Sequence, residues 1–198
     1  MPSYLYLYDY IPVTEVEGPG KRFCIWLQGC SIRCKGCMAK HTWETETGQK
    51  MQVDDLVDLI RSTKEIEGVT ILGGEPMDQS KALLVLLKEV KNAGLSVLLF
   101  TGYLMEDLIK DPGNKAVVDL CDIVIDGPYM KEQTDFSRPL AGSSNQRIFF
   151  LTKRYHELTV SNKVEIRMTR EGKITINGML PEEQLKALIT GFDVNGID

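Results

Sequence analysis

Short apolar runs of strand length alternate with longer segments of helical periodicity through most of the chain. The runs are rich in β-branched and large aliphatic residues and predict strands at 23–29, 69–73, 95–100, 122–126 and 147–152. Tyrosines at every second position from residue 4 to residue 10 predict one more strand, amphipathic and at the edge of a sheet.

Two helices are predicted between these strands, at residues 53–64 and 79–93, because apolar side chains recur there every three or four positions. Their apolar faces consist of Val53, Leu56, Val57 and Ile60 in the first helix and of Leu83, Leu86, Leu87 and Val90 in the second. Shorter helical pieces at 105–111 and 115–121 are separated by Asp111-Pro112-Gly113. This alternation predicts an α/β fold with a mostly parallel sheet and right-handed crossovers.

The last part of the chain has a different pattern. Residues 164–169 and 173–178 alternate around a Glu171-Gly172 turn, and 181–189 follow with helical spacing behind Pro181. We expect a C-terminal β-hairpin and helix that cap the sheet. At 198 residues with 43% apolar composition, the chain is expected to form a single domain over 1–198.

Four unusual segments each follow directly after a predicted strand. They are the cysteine-rich loop from Cys30 to Cys37, Gly73-Gly74-Glu75-Pro76, Thr101-Gly102-Tyr103 and Asp126-Gly127-Pro128-Tyr129. Because the carboxyl ends of parallel strands lie along one edge, where open sheets and barrels bind ligands, we expect these loops to build one site. The polar stretch 128–146 is long for a connection and is expected to line or cover that site.

Charge and composition narrow the function classes. A net charge of −5 argues against general nucleic-acid binding, which relies on a basic field. No apolar run approaches the length of a membrane span, and the first residues lack the basic start and apolar core of a secretory leader. We therefore expect a cytoplasmic protein, in which clustered thiols bind metal or do chemistry.

Three of the five cysteines, Cys30, Cys34 and Cys37, are spaced as CxxxCxxC. A structural zinc site would need a fourth ligand from Cys24, Cys121 or His41, although the two cysteines are more simply interpreted as buried thiols and the histidine as a loop residue. A 4Fe-4S cluster held by only three thiolates would keep one iron open, and an open metal position is where substrates coordinate. The spacing of the cysteines alone does not choose between the zinc site and the iron–sulfur cluster.

Together, these motifs resemble the radical S-adenosylmethionine (SAM) superfamily, and within it the activating proteins of anaerobic ribonucleoside-triphosphate reductase. The matching stretches are EGPGKR at 17–22, CSIRCKGCMAKHTW at 30–43, GGEP at 73–76, FTGY at 100–103, IDGPY at 125–129 and GSSNQ at 142–146. They cover roughly residues 15–152, leaving about 153–198 as an extension. The resemblance implies an incomplete β/α barrel. One departure is Met38-Ala39, where the activators usually carry an aromatic residue and an asparagine.

The resemblance also implies a set of site residues. Cys30, Cys34 and Cys37 would bind a 4Fe-4S cluster with one open iron, which the amino and carboxylate groups of SAM would chelate. Thr101 and Asp126 would bind the carboxylate side of SAM, directly or through a bound monovalent cation. The implied cofactor-binding residues are Gly36, Met38, Gly73, Gly74, Glu75, Pro76, Thr101 and Asp126. Asn145 and Gln146 are left open between contacting a ligand and bracing their loop.

The function implied by the resemblance is that of an oxidoreductase that activates a large glycyl-radical enzyme. The expected partner is anaerobic ribonucleotide reductase, and the expected reductant is a flavodoxin or a ferredoxin. One alternative keeps the chemistry but changes the target to another glycyl-radical enzyme or to a peptide. A second alternative, from a different class, is a non-catalytic iron–sulfur or zinc protein, although a pure electron carrier should prefer a fully ligated cluster.

Overall fold

The computed structural model describes residues 3–158, 164–172 and 174–191 and contains a seven-stranded sheet. Its strands are β1 (Tyr4–Thr14), β2 (Arg22–Leu27), β3 (Gln49–Gln52), β4 (Gly68–Gly73), β5 (Ser96–Phe100), β6 (Ile123–Asp126) and β7 (Arg147–Phe150). The helices that connect them are α1 (Val53–Ser62), α2 (Ser80–Asn92), α3 (Met105–Leu108) and α4 (Pro112–Val118). A separate hairpin of β8 (Val164–Met168) and β9 (Ile174–Gly178) precedes α5 (Glu182–Gly191).

The strand order across the sheet is β3-β1-β2-β4-β5-β6-β7. The neighbours β2, β4, β5 and β6 pair in parallel, as the alternation of strands and helices predicts. Antiparallel pairs flank them, because β1 pairs with β2 and β3 on one side and β7 pairs with β6 on the other. The prediction that the tyrosine strand lies at the sheet edge is therefore wrong, since β3 pairs with the outer side of β1. The fold is therefore mixed α/β with a parallel centre and an open sheet, and the incomplete barrel stays a prediction.

The helices cover one face of the sheet. The four predicted apolar positions of α1 and the four of α2 are all buried, so both amphipathic faces are confirmed. Alternation within the parallel strands places Val69 and Ile71 of β4 and Val97 and Leu99 of β5 in the same hydrophobic core. This rigid layer holds the strands from which the loops of the candidate site emerge.

The segment Asp111-Pro112-Gly113, expected to break the helical pattern, instead begins α4. Asp111 is the N-cap, and its Oδ1 accepts a hydrogen bond from the Asn114 N–H at 2.8 Å. Pro112 occupies the first turn, where its missing N–H costs nothing. The break falls earlier, between α3 and α4.

Arg22, the first residue of β2, is fully buried, and its guanidinium reaches β4 and β5. Its guanidinium donates to Thr70 Oγ1 at 2.6 Å, to Ser96 Oγ at 3.0 Å and to the Val69 carbonyl at 2.7 Å. Burial lowers the pKa of Arg22, and these hydrogen bonds compensate the lost hydration. The arginine that ends the EGPGKR stretch therefore ties strands together, far from the cysteine loop.

The opposite face of the sheet is covered by the loop after β6 and by the C-terminal part of the chain. Leu98, Ile123 and Ile125 pack there against Leu140 and Tyr155. From the predicted C-terminal cap at 164–189, Met179 packs against this cluster, so the end of the chain contributes to the cover.

The hairpin of β8 and β9 is attached to the end of β1 through polar contacts. Thr14 Oγ1 donates to Glu165 Oε2 at 2.5 Å and accepts from Asn177 Nδ2 at 3.1 Å. The Gly178 N–H donates to Glu17 Oε1 at 2.9 Å. Burial raises the pKa of Glu17 to about 7.

None of the helices in the described ranges combines the length and the apolar composition that a membrane span requires.

Candidate functional site

The cysteine loop leaves the end of β2 and is held at both ends by hydrogen bonds. The Gly29 N–H donates to the Thr42 carbonyl at 2.8 Å, and the Cys30 N–H donates to the Trp43 carbonyl at 3.1 Å. Gln28, just before the loop, is buried, and its Nε2 donates to the carbonyls of His41 and Glu44. The chain therefore forms a closed loop in which the ends are fixed and the thiols are presented between them.

A second set of contacts fastens the loop to its neighbours along the sheet edge. Asp78 accepts from the Ser31 N–H and from Ser31 Oγ, each at 2.7 Å. The Tyr103 hydroxyl lies 3.0 Å from Ser31 Oγ and donates to Asp78 at 3.3 Å. Three of the four predicted loops are thus joined to one another at this edge.

Cys30, Cys34 and Cys37 all line one cavity of about 200 Å³, and each is partly buried. Burial raises the pKa of the Cys30 and Cys34 thiols. Across the described part of the chain, no group of three or more His, Cys, Asp or Glu side chains is arranged to hold a single metal ion. Cys24 and Cys121 are buried elsewhere in the fold and line neither this cavity nor the larger one beside it.

Gly73 and Gly74 line the same cavity, and the structure gives a steric reason for both. Gly73 has a φ of +112°, and a Cβ there would lie 2.4 Å from the Leu27 N atom. A Cβ on Gly74 would lie 2.0 Å from the Gly29 carbonyl oxygen. The two glycines let this loop pack directly against the backbone at the end of β2, where the cysteine loop begins.

Glu75 is buried and its carboxylate accepts three hydrogen bonds. The Met77 N–H and Thr101 Oγ1 donate to Oε1 at 2.9 and 2.8 Å, and the Gly102 N–H donates to Oε2 at 2.8 Å. Desolvation nevertheless raises the pKa of Glu75 to about 7. The carboxylate therefore braces the loop after β4 against the loop after β5, and Thr101 is engaged in the same contact.

Asp126 is fully buried but is absent from the lining of the cavity. Its Oδ1 accepts from Arg147 Nε at 3.0 Å, its Oδ2 accepts from Arg147 Nη2, and Oδ2 also accepts from the Met105 N–H at 2.7 Å. Arg147 extends to Glu106, which it contacts with both terminal nitrogens at 2.7 Å. Asp126 therefore anchors β7 and the start of α3 behind the site.

The other sequence-predicted residues do not line this cavity. Pro76 is buried and begins a 3-10 helix, Pro76–Gln79, after the Glu75 N-cap. Gly36 has a φ of +83°, and a Cβ there would lie 2.9 Å from Lys131 Cδ. Met38 is 50% exposed and lines the larger cavity beside the first. The structure thus brings together the cysteines, Gly73, Gly74, Glu75 and Thr101, whereas Pro76, Gly36, Met38 and Asp126 lie outside the cavity lining.

Several residues that line the cavity were not among those selected from the sequence, namely Ile32, Trp43, Leu72 and Phe100, whereas Gly102 and Tyr129 lie in two of the predicted loops. Trp43 is notable because its Nε1 is buried and has no hydrogen-bond partner within residues 3–158, 164–172 and 174–191. A buried N–H normally has an acceptor. The one available sequence signal was the position of Trp43 at the end of the CSIRCKGCMAKHTW stretch.

Asn145 and Gln146 both brace the loop that follows β6. Asn145 Nδ2 donates to the Pro128 carbonyl at 2.8 Å, and Gln146 Oε1 accepts from the Gly142 N–H at 2.8 Å. Gln146 also lines the cavity. Bracing is therefore established for both side chains.

The chemistry of this site fits an iron–sulfur cluster with a small polar ligand beside it. Thiolates are the protein ligands of 4Fe-4S clusters, and each binds a different iron, so they need not converge on one point. The remaining lining includes Gly73, Gly74 and Trp43, with apolar walls from Ile32 and Phe100. Polar groups at one end of an apolar pocket orient a small ligand.

Comparison with known proteins identifies the family. The model of the 4Fe-4S single cluster domain matches residues 16–149. The anaerobic ribonucleoside-triphosphate reductase-activating protein of Vibrio cholerae is 32% identical over 153 residues, covering 73% of this chain and 97% of that protein. Proteins of the same name from Escherichia coli K12 and phage T4 are 30% and 32% identical, covering 73% and 72% of this chain and 97% and 92% of their own length.

Among solved structures, a crystal structure of QueE from Escherichia coli aligns with a TM-score of 0.44 and 24% identity, covering 50% of this chain and 53% of that one. The sequence comparisons decide the family, because they span nearly the whole length of the relatives and include the cysteine loop and the GGEP loop. The chain therefore belongs to the family of anaerobic ribonucleoside-triphosphate reductase-activating proteins, in the radical SAM superfamily.

Proposed function

We propose that this protein cleaves SAM reductively at a 4Fe-4S cluster and generates a glycyl radical on an anaerobic ribonucleoside-triphosphate reductase. The observation that carries the proposal is that all three cysteines of the CxxxCxxC motif line one cavity together with the GGEP loop. Family membership supports the partner, since the relatives are named as activating proteins of that reductase.

In this proposal Cys30, Cys34 and Cys37 each bind one iron, and the fourth iron is open to SAM. When bound and reduced by an external one-electron donor, the cluster would supply the electron needed to cleave a C–S bond of SAM into methionine and a 5′-deoxyadenosyl radical, which would take a hydrogen atom from a glycine Cα. The protein's part is to hold, orient and shield these groups. The partly buried positions of the thiols support that role.

The side chains around the cluster are proposed to work in two groups. Gly73 and Gly74 present backbone to the amino acid end of SAM, and the Trp43 N–H donates to it from the other wall. Glu75 and Thr101 position that backbone through the hydrogen bonds that join their two loops. Gly36 and Met38 are proposed to flank the adenine, with Pro76 fixing the turn.

Asp126 is proposed as a positioning residue, through its pairing with Arg147. A bound monovalent cation was one of two alternatives for this carboxylate, and the guanidinium already supplies a positive charge there. We therefore propose that Arg147 takes the place of the cation in this chain.

The finer architecture follows the same proposal. The open sheet is proposed to be the wall of an incomplete β/α barrel, with the core at about residues 15–152 and the extension after it in one domain. We propose a cytoplasmic location and a flavodoxin or ferredoxin as the electron donor. The family match favours this reading over a non-catalytic zinc or iron–sulfur protein, and over a different glycyl-radical or peptide target.

The test is anaerobic reconstitution with iron and sulfide, followed by reductant, SAM and the reductase. We expect 5′-deoxyadenosine and a glycyl-radical signal in the electron paramagnetic resonance (EPR) spectrum of the reductase. Cys34→Ala should abolish both, whereas the matched control Cys121→Ala, which removes a buried thiol outside the cavity, should retain both. Full activity of Cys34→Ala would refute the ligand assignment.

A further inference from the structure

A second cavity of about 600 Å³ adjoins the cluster cavity on the sheet face opposite the helices. Five residues line both cavities, namely Cys37, Leu72, Phe100, Tyr129 and Gln146. The two spaces are therefore neighbours, and the larger one extends away from the thiols. Its walls are mainly apolar, with Trp26 and Ile11 of the sheet among them.

The far wall of this cavity is built by the C-terminal hairpin and the residues after it. Val164, Ile174, Ile176, Met179 and Leu180 line it, and none of them lines the cluster cavity. The family model ends at residue 149, and 73% of this chain covers 97% of the Vibrio cholerae relative. The wall is thus an addition of this chain to a relative that is otherwise matched nearly end to end.

The hairpin also carries a buried polar group that lacks a partner. Asn177 lines the cavity and is 7% exposed, and its Nδ2 donates to Thr14 Oγ1. Its Oδ1 is buried and accepts no hydrogen bond from any described residue. Leaving such an acceptor unpaired costs about 1–3 kcal/mol, so it marks a place where a ligand N–H can be accepted.

We propose that the space between the sheet and the hairpin binds the glycine-bearing loop of the partner enzyme as an extended peptide, with Asn177 Oδ1 accepting one of its backbone N–H groups. The inference rests on the proposed function, because it takes the partner from there. The hairpin then serves partner selection, and the cluster cavity serves SAM.

A polypeptide segment fits these walls better than a second small polar molecule. Backbone N–H groups supply donors at regular spacing, and alternate side chains of an extended segment enter apolar pockets. The cavity offers an unpaired acceptor on β9 and apolar side chains on both sides of it. Its continuity with the cluster cavity would bring a bound glycine toward the thiols.

Photo-cross-linking tests the placement of the partner. The full-length protein, reconstituted anaerobically with SAM and without reductant, carries p-benzoylphenylalanine at Leu180, which lines the cavity, or at Met168, which is 65% exposed and does not line it. The probe is the reductase of the same organism. We expect a cross-link from position 180, mapped by mass spectrometry to the glycine-bearing segment, and none to that segment from position 168. A cross-link from 180 to any other segment, no cross-link, or equal cross-links from both positions would overturn the inference.

Asn177→Leu tests the hydrogen bond. We expect the ratio of glycyl radical to 5′-deoxyadenosine to fall about tenfold at low reductase concentration, through a raised KM for the reductase, because one hydrogen bond is worth roughly 1 kcal/mol and an unmatched donor in the peptide adds to the loss. The control is Thr14→Val, which removes the partner of Nδ2 but keeps Oδ1. An unchanged ratio in Asn177→Leu, or an equal fall in Thr14→Val, would overturn the role of Asn177.

Different results would refute the proposed function and the role of the hairpin. If the unsubstituted protein forms 5′-deoxyadenosine but no glycyl radical on the reductase, the proposed function is wrong and this inference falls with it. If the radical forms and position 180 does not cross-link, only the role of the hairpin is wrong.

Discussion

Replacing Glu75 with glutamine should change the pH dependence of stability in a direction that the structure determines. Glu75 is buried, and desolvation raises its pKa from 4.5 to about 7. A raised carboxyl pKa means that the folded state binds more protons than the unfolded state between these values. Stability is therefore lost as the pH rises from about 4.5 to about 7, and the loss is complete above the folded pKa.

The size of the effect follows from the same two pKa values. A shift of about 2.5 pKa units corresponds to roughly 3 kcal/mol, of which about 2 kcal/mol falls between pH 5.5 and pH 8. Glutamine has no charge to desolvate, so this part of the pH dependence disappears in the variant. Its NH2 group cannot accept from the Gly102 N–H, which an oxygen of the neutral acid or of the carboxylate can accept, so about 1–3 kcal/mol is lost at either pH.

Urea unfolding of the cluster-free protein, followed by circular dichroism, measures both terms. We expect Glu75→Gln to be less stable than the unsubstituted protein at pH 5.5 and to recover about 2 kcal/mol relative to it at pH 8. The control is Glu65→Gln, because Glu65 is exposed and its pKa is lowered by Lys21, so its contribution is constant above pH 5.5. The raised pKa of Glu75 would be refuted if the difference in free energy of unfolding between the unsubstituted protein and Glu75→Gln were equal at both pH values, or were larger at pH 8 than at pH 5.5.

Three further predictions concern neighbouring groups. Arg147→Gln should lower the urea midpoint of unfolding, because it leaves the buried Asp126 carboxylate without its positively charged partner, and adding Asp126→Asn should recover part of that loss; a larger loss in the double variant would contradict this. Gly74→Ala should lower the rate of 5′-deoxyadenosine formation at least about tenfold, because its Cβ would lie 2.0 Å from a backbone oxygen of the cysteine loop, whereas Gly113→Ala, in α4, should leave the rate unchanged. Trp43→Phe should raise the KM for SAM about two- to tenfold, because the variant loses one hydrogen bond to SAM, whereas the free energy of unfolding should change little. An unaltered KM would show that the Trp43 N–H does not bind SAM.

Most elements of the fold were predictable because their hydrophobic spacing is strong. The buried faces of α1 and α2 and the parallel centre of the sheet follow from periodicities that any core-facing helix or buried strand must show. Strand β3 was missed, because Gln49–Gln52 is a polar edge strand with three of its four residues exposed. The antiparallel pairing of β7 with β6 was also missed, since strand direction depends on tertiary contacts that local patterning does not encode.

The site was predictable where its chemistry is distinctive in sequence. Closely spaced thiols and a Gly-Gly-Glu-Pro turn after a strand can be recognised locally, and the structure brings them into one cavity. The roles of Glu75 and Asp126 needed the fold, because their partners, Thr101 and Arg147, are more than 20 residues away in sequence. Trp43 was missed for the same reason, since only the closed cysteine loop brings its indole beside the thiols.

The central claim is a four-iron cluster with three protein thiolates and one iron that SAM can bind. The most direct measurement is the EPR spectrum of the reconstituted, reduced protein before and after SAM is added, with 5′-deoxyadenosine quantified in the same samples. We expect a cluster signal that changes on adding SAM, and an amount of 5′-deoxyadenosine proportional to the amount of cluster. A signal that does not respond to SAM, or reconstituted protein that holds zinc and no iron, would contradict it.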